Sequence, residues 1–294
     1  MIVVAGSTGV LGYEVCRELR RRGKQVRALV RSTSSPERVS ALRAAGCETV
    51  IGDLRDRASL DAACAGASVV MSTVTSVTTA KAGDSIEATD GAGNCNMVDA
   101  AAAASVKQFI FVSFASEGMP DCPLADAKRN VEDRIRRSGM SWTILHPGFF
   151  MESWLGPMLF ADPVAGTARF YGAKDVRIPY VAVSDVAGVA VQCVDNPASA
   201  NRVIAFAGPE QLTQREALQR FEKAFGRAFT VTMVPEEALE AQWKGATDPV
   251  GRSFSALMLG VSRGVPTPGA LDKEFAVKMT TVDDFIRVLQ GSVA

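Results

Sequence analysis

Hydrophobic residues along this chain fall in short, nearly continuous runs that alternate with longer stretches of mixed character. A run of four or five apolar residues predicts a strand buried on both faces. The mixed stretches predict helices with one apolar side, and the first of them ends at Gly23. Strands that alternate with helices predict the α/β class, with a doubly wound parallel sheet covered by helices on both faces. The predicted strands of the first half are Ile2–Ala5, Gln25–Val30, Glu48–Ile51, Ser68–Met71, Phe109–Val112 and Trp142–Leu145.

The first predicted strand leads directly into a glycine-rich turn. Gly6, Gly9 and Gly12 are three residues apart, and the next helix begins within this turn. In a strand–helix–strand unit, such glycines let backbone N–H groups and a helix N-terminus approach a pyrophosphate. Arg31 follows the second strand, where a cation suits the 2′-phosphate of NADP, and no acid lies between Val30 and Ser35. The unit therefore predicts a Rossmann fold that binds NADP(H).

The regular alternation ends near Pro147 and Gly148, and the pattern beyond them predicts a smaller α/β lid over the substrate. Thr213 and Glu216 have the spacing of a capping box, which predicts a helix to Phe225. Further strands are predicted near Arg177–Val181, Val203–Ala207 and Phe229–Val234. We therefore predict a dinucleotide-binding domain over residues 1–147 and a substrate-binding lid over 148–294. The segment near 176–208 is predicted to return to the first domain.

Composition and charge exclude several classes of partner. The 294 residues contain 32 Lys and Arg and 32 Asp and Glu, so the formal net charge is zero. No basic field attracts nucleic acid or an anionic membrane surface. No apolar run approaches the roughly 18 residues of a membrane-spanning helix, and we expect no signal peptide because the first strand begins at residue 2. The six cysteines lack metal-ligand spacing, so we expect a reduced, cytoplasmic protein without a metal site.

Residues just past the strands are candidates for chemistry, because ligands of parallel sheets bind beyond the carboxyl ends of the strands. Ser113 follows the fifth predicted strand, and His146 follows the sixth. His146 is the only histidine of the sequence, so any proton transfer by an imidazole near neutral pH depends on it. The alternative for both residues is a purely structural role.

Aromatic residues are concentrated just beyond His146. They predict an apolar pocket wall that suits a flat hydrophobic substrate, and the alternative is that they form the core of the lid. The residues predicted to contact substrate are Phe149, Phe150, Met151 and Trp154.

Three groups of segments together resemble the atypical short-chain dehydrogenase/reductase proteins, in their NmrA-like and isoflavone-reductase-like branch. The first is Val4–Gly12 with Arg27–Arg31, the second is Lys128–Glu132 followed by Trp142–Glu152, and the third is Ile178–Ala187. The similarity extends to about residue 235. It implies an NADP-binding fold and, often, reduction of a quinone, an enone or another planar aromatic molecule. The same branch also contains proteins that only sense the redox state of the cofactor.

The resemblance assigns roles to individual positions. It places the turn that binds the pyrophosphate at Gly6–Gly12 and the contact to the 2′-phosphate at Arg31. It places Asp53 and Leu54 beside the adenine and Lys128 at the nicotinamide ribose. The alternative for Lys128 is a surface lysine paired with Glu132, one helical turn away. The implied cofactor contacts are Gly6, Thr8, Gly9, Val10, Leu11, Gly12, Arg31, Ser32, Asp53, Leu54, Thr73, Val74, Thr75 and Lys128.

Two positions depart from the pattern of these proteins. The main short-chain dehydrogenases carry a proton-donating tyrosine four residues before the lysine, and here that position is Leu124. His146 stands where the branch more often has an arginine. Because Leu124 has no proton to give, the usual carbonyl-reducing mechanism is not available. Lys128, His146 and Ser113 are therefore the predicted catalytic residues.

The leading hypothesis is an NADPH-dependent oxidoreductase that acts on a hydrophobic aromatic or quinone- or enone-like molecule. The cofactor carries the chemistry, while the protein supplies orientation and electrostatics. One alternative is an NADP-binding redox sensor without turnover, which the missing tyrosine favours. Another is a related protein that performs a different oxidative step, such as oxygenation, on an aromatic intermediate. The expected partner is a small molecule, and the pattern leaves the oligomeric state open.

Overall fold

A computed structural model of the chain describes residues 1–77, 83–173, 175–266 and 268–293. These residues form two compact units. The first unit comprises residues 1–114, 124–146 and 186–204, and the second comprises 115–123, 147–185 and 205–294. The chain therefore changes unit after residue 146 and contributes a later segment, 186–204, to the first unit.

The strands and helices of the described residues are as follows. The strands are β1 (Ile2–Ala5), β2 (Val26–Val30), β3 (Glu48–Ile51), β4 (Val69–Ser72), β5 (Gln108–Val112), β6 (Ser141–Pro147), β7 (Phe149–Phe150), β8 (Ala161–Asp162), β9 (Thr167–Tyr171), β10 (Arg177–Val181), β11 (Arg202–Phe206), β12 (Gln211–Thr213) and β13 (Thr230–Val234). The α-helices are α1 (Val10–Arg21), α2 (Pro36–Ala44), α3 (Arg57–Cys64), α4 (Asn94–Ala103), α5 (Pro123–Arg136), α6 (Met151–Trp154), α7 (Val183–Gln192), α8 (Gln214–Phe225), α9 (Glu236–Gly245), α10 (Pro249–Ser262) and α11 (Val282–Val293). A π-helix (Ile86–Gly93) precedes α4, and a 3₁₀ turn (Pro197–Ser199) follows α7.

The main sheet has seven strands in the order β11-β6-β5-β4-β1-β2-β3. The pairs from β3 through β6 are all parallel. The strand order reverses at β1, which has β2 on one side and β4 on the other. Loops that leave neighbouring strands in opposite directions open a crevice at such a reversal, and it is there that doubly wound folds bind ligands. The predicted α/β class with a Rossmann sheet is confirmed.

The central strands of the sheet are buried on both faces, while the edge strand β3 is partly exposed. Val3, Val4 and Ala5 in β1 have no exposed surface, and β4 and β5 are almost as deeply buried. Strands in this position need apolar side chains on both faces, which explains their continuous hydrophobic runs. A packed sheet of this kind holds the loops at its carboxyl edge in defined positions.

The second unit has its own small sheets and an aromatic core. The sheets have the orders β12-β10-β7 and β13-β9-β8. The core stacks Phe160 on Phe170 at 5.9 Å and sets Phe221 edge-on to Phe160 at 6.0 Å. The predicted capping box of Thr213 and Glu216 is present at the start of α8.

The structure departs from the predicted elements in two places. The segment 84–104 is rich in small helix-forming residues, which predicts a single helix, but it begins as the π-helix and becomes α4 only at Asn94. A helical period of 3.6 residues cannot reveal this change, which accompanies buried hydrogen bonds of the Asp90 and Asn94 side chains. The strands β7, β8 and β12 were missed, because two or three residues give too little alternation to detect. The five-residue strand β9 was also missed.

Candidate functional site

The turn between β1 and α1 closes on itself in a way that excludes side chains. Gly6 has a φ of +79°, a conformation that favours glycine. The Gly9 N–H donates to the Gly6 carbonyl at 2.9 Å. A Cβ at Gly12 would lie 2.1 Å from the Gly6 oxygen and 2.6 Å from its carbonyl carbon. The sequence here folds into a tight cradle because only hydrogen atoms occupy these positions.

The N-terminus of α1 is arranged to receive an anion. Its N-cap, Gly9, provides no side-chain hydrogen bond, and no acidic residue occurs in the first turn. The first N–H groups of α1 therefore have no side-chain acceptor of their own, and the helix dipole adds positive potential at this end. Val10 is 58% exposed beside the turn, while Leu11 is buried beneath it. Ser7 holds the turn to β2 by donating to the Leu29 carbonyl at 2.7 Å.

The loop after β4 is joined to the end of β1. The backbone N–H and the hydroxyl of Thr73 both donate to the Ala5 carbonyl, at 3.1 and 3.2 Å. The Val74 carbonyl accepts from Lys128, and the Thr75 hydroxyl accepts from the Val77 N–H at 3.4 Å. The predicted segment Thr73–Thr75 therefore lies at the reversal of the strand order, beside the glycine turn.

Four charged residues form one cluster beyond β2 and β3. Nη1 of Arg31 donates to both carboxylate oxygens of Asp84, at 2.7 and 2.8 Å. Arg55 forms a two-pronged contact with Asp53, at 2.9 and 2.7 Å, and donates through Nη1 to the Gly83 carbonyl. The hydrogen bond from Arg55 lowers the pKa of Asp53 despite partial burial, with smaller contributions from the charges of Arg55 and Arg31. We call Arg31, Asp53, Arg55 and Asp84 the edge quartet.

Two other predicted cofactor contacts have contrasting surroundings. Ser32 is exposed in the turn after β2. Leu54 is 9% exposed and packs in the hydrophobic core of the first unit. A Cβ at Gly93 would lie 2.9 Å from the Cβ of Leu54, so the π-helix passes close over this leucine. A cofactor contact by either residue stays a prediction.

Lys128 is a buried cation beneath the ends of β4 and β5. Its Nζ donates to the Val74 carbonyl at 3.0 Å and to the Val112 carbonyl at 3.4 Å. It lies 4.0 Å from an oxygen of Asp90 and 4.8 Å from the centre of the Phe111 ring. Burial lowers the pKa of Lys128, and the negative charges of Asp90 and Glu132 oppose that shift. The side chain is therefore not the exposed surface lysine of the alternative interpretation.

Asp90, in the π-helix, is the negatively charged residue next to Lys128, and it was not predicted from the sequence. Its Oδ2 accepts from the N–H and the hydroxyl of Ser76, at 2.9 and 2.6 Å. Its Oδ1 faces Lys128 and has no hydrogen-bond partner among the described residues. Asn94 supports this turn, because its amide donates to the Asp90 carbonyl and its oxygen accepts from the Ser72 hydroxyl. No sequence signal marks Asp90, since it lies 38 positions from Lys128 in an irregular helix.

His146 and Glu132 form a buried pair at the end of β6. His146 Nε2 lies 2.8 Å from Glu132 Oε1, and Arg136 donates to the other carboxylate oxygen at 2.9 Å. Burial acts to raise the pKa of Glu132. The hydrogen bonds of His146 and Arg136 and the charge of His146 outweigh burial, so this pKa is lowered. Glu132 is thus an ionised acceptor for His146 at neutral pH.

Ser113 and Leu124 are two further positions of the first unit that the sequence pointed out. The Ser113 hydroxyl helps to lower the pKa of Glu132, although within the described ranges it has no hydrogen bond of good geometry. An orphaned buried hydroxyl of this kind is available to a ligand. Leu124 is 6% exposed, and an aliphatic side chain there gives no proton.

The predicted substrate contacts lie in the second unit, around β7 and α6. Phe149 and Trp154 meet edge to face at 4.7 Å and pack on the core of that unit. Phe150 is half-buried, and Met151 is fully buried within the core. The Met151 side chain therefore supports its aromatic neighbours from below. Direct contact of these four residues with a substrate stays a prediction.

Two further features concern the part of the chain that the structure describes. No helix there is long and apolar enough to cross a membrane. No group of three or more His, Cys, Asp or Glu side chains in these same ranges is arranged to hold a metal ion.

The chain was compared with known proteins. Residues 1–282 match the NmrA-like family. The NAD(P)H azoreductase of Xenophilus azovorans is 31% identical over 82% of this chain and 80% of its own length. The isoflavone reductase homolog IRL of Zea mays is 30% identical over 97% of this chain and 96% of its own length. Among solved structures, an NADPH-dependent quinone oxidoreductase of Escherichia coli in complex with NADPH superposes with a TM-score of 0.80, at 25% identity, over 99% of this chain and all of that one.

Proposed function

The chain belongs to the NmrA-like family, and from this premise we propose that it reduces a hydrophobic aromatic or quinone- or enone-like small molecule with NADPH. The predicted class of NAD(P)H-dependent oxidoreductase is confirmed, because the relatives include an azoreductase and a quinone oxidoreductase. The predicted cofactor is confirmed in the same way. The aromatic or quinone-like nature of the substrate is the part that we propose.

The observation that carries the proposal is the cradle of β1 and α1. The turn leaves no room for a Cβ at Gly12, and the first turn of α1 lacks both a capping side chain and an acid. A dinucleotide pyrophosphate fits such a surface, since it needs close backbone approach and free N–H donors. We assign the pyrophosphate to residues 6–12 and the 2′-phosphate to Arg31.

Lys128 is suited to hold the nicotinamide end of the cofactor. Its ammonium group has three N–H donors, of which two reach the carbonyls of Val74 and Val112. The third is available for a ribose hydroxyl. Bound NADPH supplies a hydride, and Lys128 would fix the ribose that carries its nicotinamide.

His146 is the group that we propose as the proton donor. The ionised carboxylate of Glu132 only accepts hydrogen bonds, so Nε2 of His146 carries the hydrogen between them. Nδ1 of the doubly protonated ring would then give the proton that accompanies hydride addition, which leaves a neutral imidazole. Glu132 would hold the ring in place, and Arg136 would hold Glu132. In this arrangement His146 would donate the proton that a tyrosine donates in the main short-chain dehydrogenases, where this chain has Leu124.

The second unit supports an apolar substrate. Phe149 and Trp154 present a rigid edge-to-face pair on a fully buried base that includes Met151. Aromatic side chains of this kind offer large contact areas to planar ligands. We propose that Phe149, Phe150 and Trp154 contribute the apolar surface for the substrate, and that Met151, which is fully buried, supports them from the core.

A panel of acceptors tests the proposed reaction. We expect anaerobic mixing of the protein and NADPH with quinones, azo dyes and enones to lower the absorbance at 340 nm for at least one class. A reaction that proceeds only when oxygen is admitted would instead indicate an oxygenation step. No oxidation with any acceptor, together with unequal affinities for NADPH and NADP⁺, would make the chain a redox sensor.

Replacing His146 by glutamine tests the proton donor. We expect kcat to fall about 100-fold, because an amide cannot donate the proton to the product. The binding constant for NADPH should change less than three-fold, since the substitution leaves the cradle intact. Stopped-flow kinetics at one fixed pH provide the measurement.

Glu132→Gln is the matched variant for this test. It keeps a hydrogen-bond acceptor for His146 but removes the negative charge beside the ring. We expect a loss of kcat that is smaller than the loss in His146→Gln. A kcat of His146→Gln within three-fold of wild type would show that the proton comes from another group.

A further inference from the structure

The edge quartet contains equal numbers of positive and negative charges. Arg31 and Arg55 are balanced by Asp53 and Asp84, and each arginine is already engaged with a carboxylate. Arg55 is fully committed, with Nε and Nη2 on Asp53 and Nη1 on the Gly83 carbonyl. An incoming 2′-phosphate thus meets no uncompensated positive charge.

Arg31 has an unusual contact with its acid. A single nitrogen, Nη1, donates to both oxygens of Asp84, and the Asp84 side chain is 3% exposed while that of Arg31 is 30% exposed. The carboxylate therefore neutralises Arg31 from the protein side, and the arginine faces solvent on the other. Asp84 provides the negative charge that a 2′-phosphate would otherwise bring.

The position of Asp84 is fixed by its neighbours along the chain. The Gly83 carbonyl is held by Arg55 at 2.8 Å. The Ser85 hydroxyl accepts from the Ala88 N–H at 2.9 Å and caps the π-helix. A carboxylate anchored on both sides remains near Arg31 when a ligand arrives, so its charge acts on the bound phosphate.

We propose that Asp84 determines the cofactor preference of this chain by competing with the 2′-phosphate of NADPH for Arg31. The inference rests on the proposed assignment of Arg31 to that phosphate. NADH lacks the 2′-phosphate and does not compete with Asp84. The negative charge of Asp84 therefore weakens the binding of NADPH and leaves that of NADH nearly unchanged, which narrows the preference between the two cofactors.

Asp84→Asn tests the proposal because it removes the charge and keeps the shape. We expect the Kd for NADPH to fall about ten-fold, by loss of one like charge at short range, and the Kd for NADH to change less than two-fold. Titration calorimetry with each reduced cofactor measures both constants without any substrate. Asp61→Asn is the control, since Asp61 is half-exposed and, within the described residues, forms its ion pair with Arg57 on the same helix, α3. It should change neither constant.

Three outcomes would overturn the proposal. A higher Kd for NADPH in the variant would mean that Asp84 positions Arg31 for the phosphate. An equal decrease in the Kd values for NADPH and NADH would mean a general change in the cradle. Unchanged Kd values would mean that Asp84 has no influence on cofactor binding. If Asp84→Asn does not fold, Asp84→Ser removes the same charge and is judged by the same constants. Arg31→Ala separates this inference from the proposed function. If it leaves NADPH binding intact, the phosphate assignment itself fails, and if the wild-type chain binds neither cofactor, the proposed function fails.

Discussion

Replacing Gly12 by alanine is expected to abolish NADPH binding and to lower the melting temperature. The added Cβ would lie 2.1 Å from the Gly6 oxygen and 2.6 Å from its carbonyl carbon. Both are backbone atoms that cannot rotate away, so either α1 or the turn must move. Overpacking of this severity costs about 3 kcal/mol, which corresponds to a decrease of roughly 6–12 °C in a domain of this size.

Differential scanning fluorimetry with and without NADPH measures both effects of Gly12→Ala. The wild-type protein should gain thermal stability from the cofactor, because a ligand that binds only the folded state stabilises it. The variant should gain none. Gly245→Ala is the matched control, since a Cβ at Gly245 meets open space at the end of α9. A Gly12→Ala protein that binds NADPH within three-fold of wild type would show that the turn is not the pyrophosphate site.

Replacing Lys128 by methionine is expected to lower kcat/KM about 100-fold. Methionine has a similar length but no N–H donors, so the contacts to the Val74 and Val112 carbonyls are lost, together with the proposed contact to the ribose. A hydrogen bond from a charged donor contributes about 1.5–3 kcal/mol, or a factor of roughly 10–150 in rate or binding. Steady-state kinetics with the best acceptor of the panel provide the measurement.

The pH dependence of stability supplies a second readout for Lys128. Burial lowers the pKa of Lys128 in the folded chain, and the charges of Asp90 and Glu132 oppose that shift. The unfolded chain keeps its proton up to a pKa of about 10.4. Between the two values the unfolded state binds more protons, so the free energy of unfolding rises with pH. Urea titrations should find this rise in the wild-type protein and not in Lys128→Met.

Lys107→Met is the control for the lysine substitution. Lys107 is exposed just before β5, so its removal should alter neither kcat/KM nor the alkaline stability. Lys128→Met with kcat/KM within three-fold of wild type would remove Lys128 from the site and leave it a structural residue.

The features predicted correctly are those that one stretch of chain encodes. The glycine turn, α1 and β2 lie within residues 2–30, and their glycine spacing and apolar periodicity are visible without any distant partner. The capping box of α8 is equally local, since Thr213 and Glu216 are three residues apart. Short strands such as β7 and β8 were not predicted, because two residues are too few to show an alternation of apolar and polar positions.

The partners of the site residues were harder to predict because they are distant in sequence. Glu132 is one helical turn from Lys128, and the spacing suggested that the two form a pair. In the folded chain Glu132 instead bonds to His146 and Arg136. Lys128 donates to the carbonyls of Val74 and Val112 and lies 4.0 Å from Asp90. Helical spacing states which side chains share a face, but burial and competing donors decide which of them meet.

The order of apolar runs and the glycine spacing were sufficient to specify a parallel sheet with a dinucleotide cradle at its first turn, because backbone sterics and hydrophobic burial act locally. The charge environment of that cradle came only from the tertiary structure. It brought Asp84 to Arg31 across 53 positions and Asp90 to Lys128 across 38, and it buried His146 against Glu132. Charges interact through space, and the energy of that interaction grows as water is excluded. For that reason the residues to which we assign cofactor choice and proton supply are defined only by the folded arrangement.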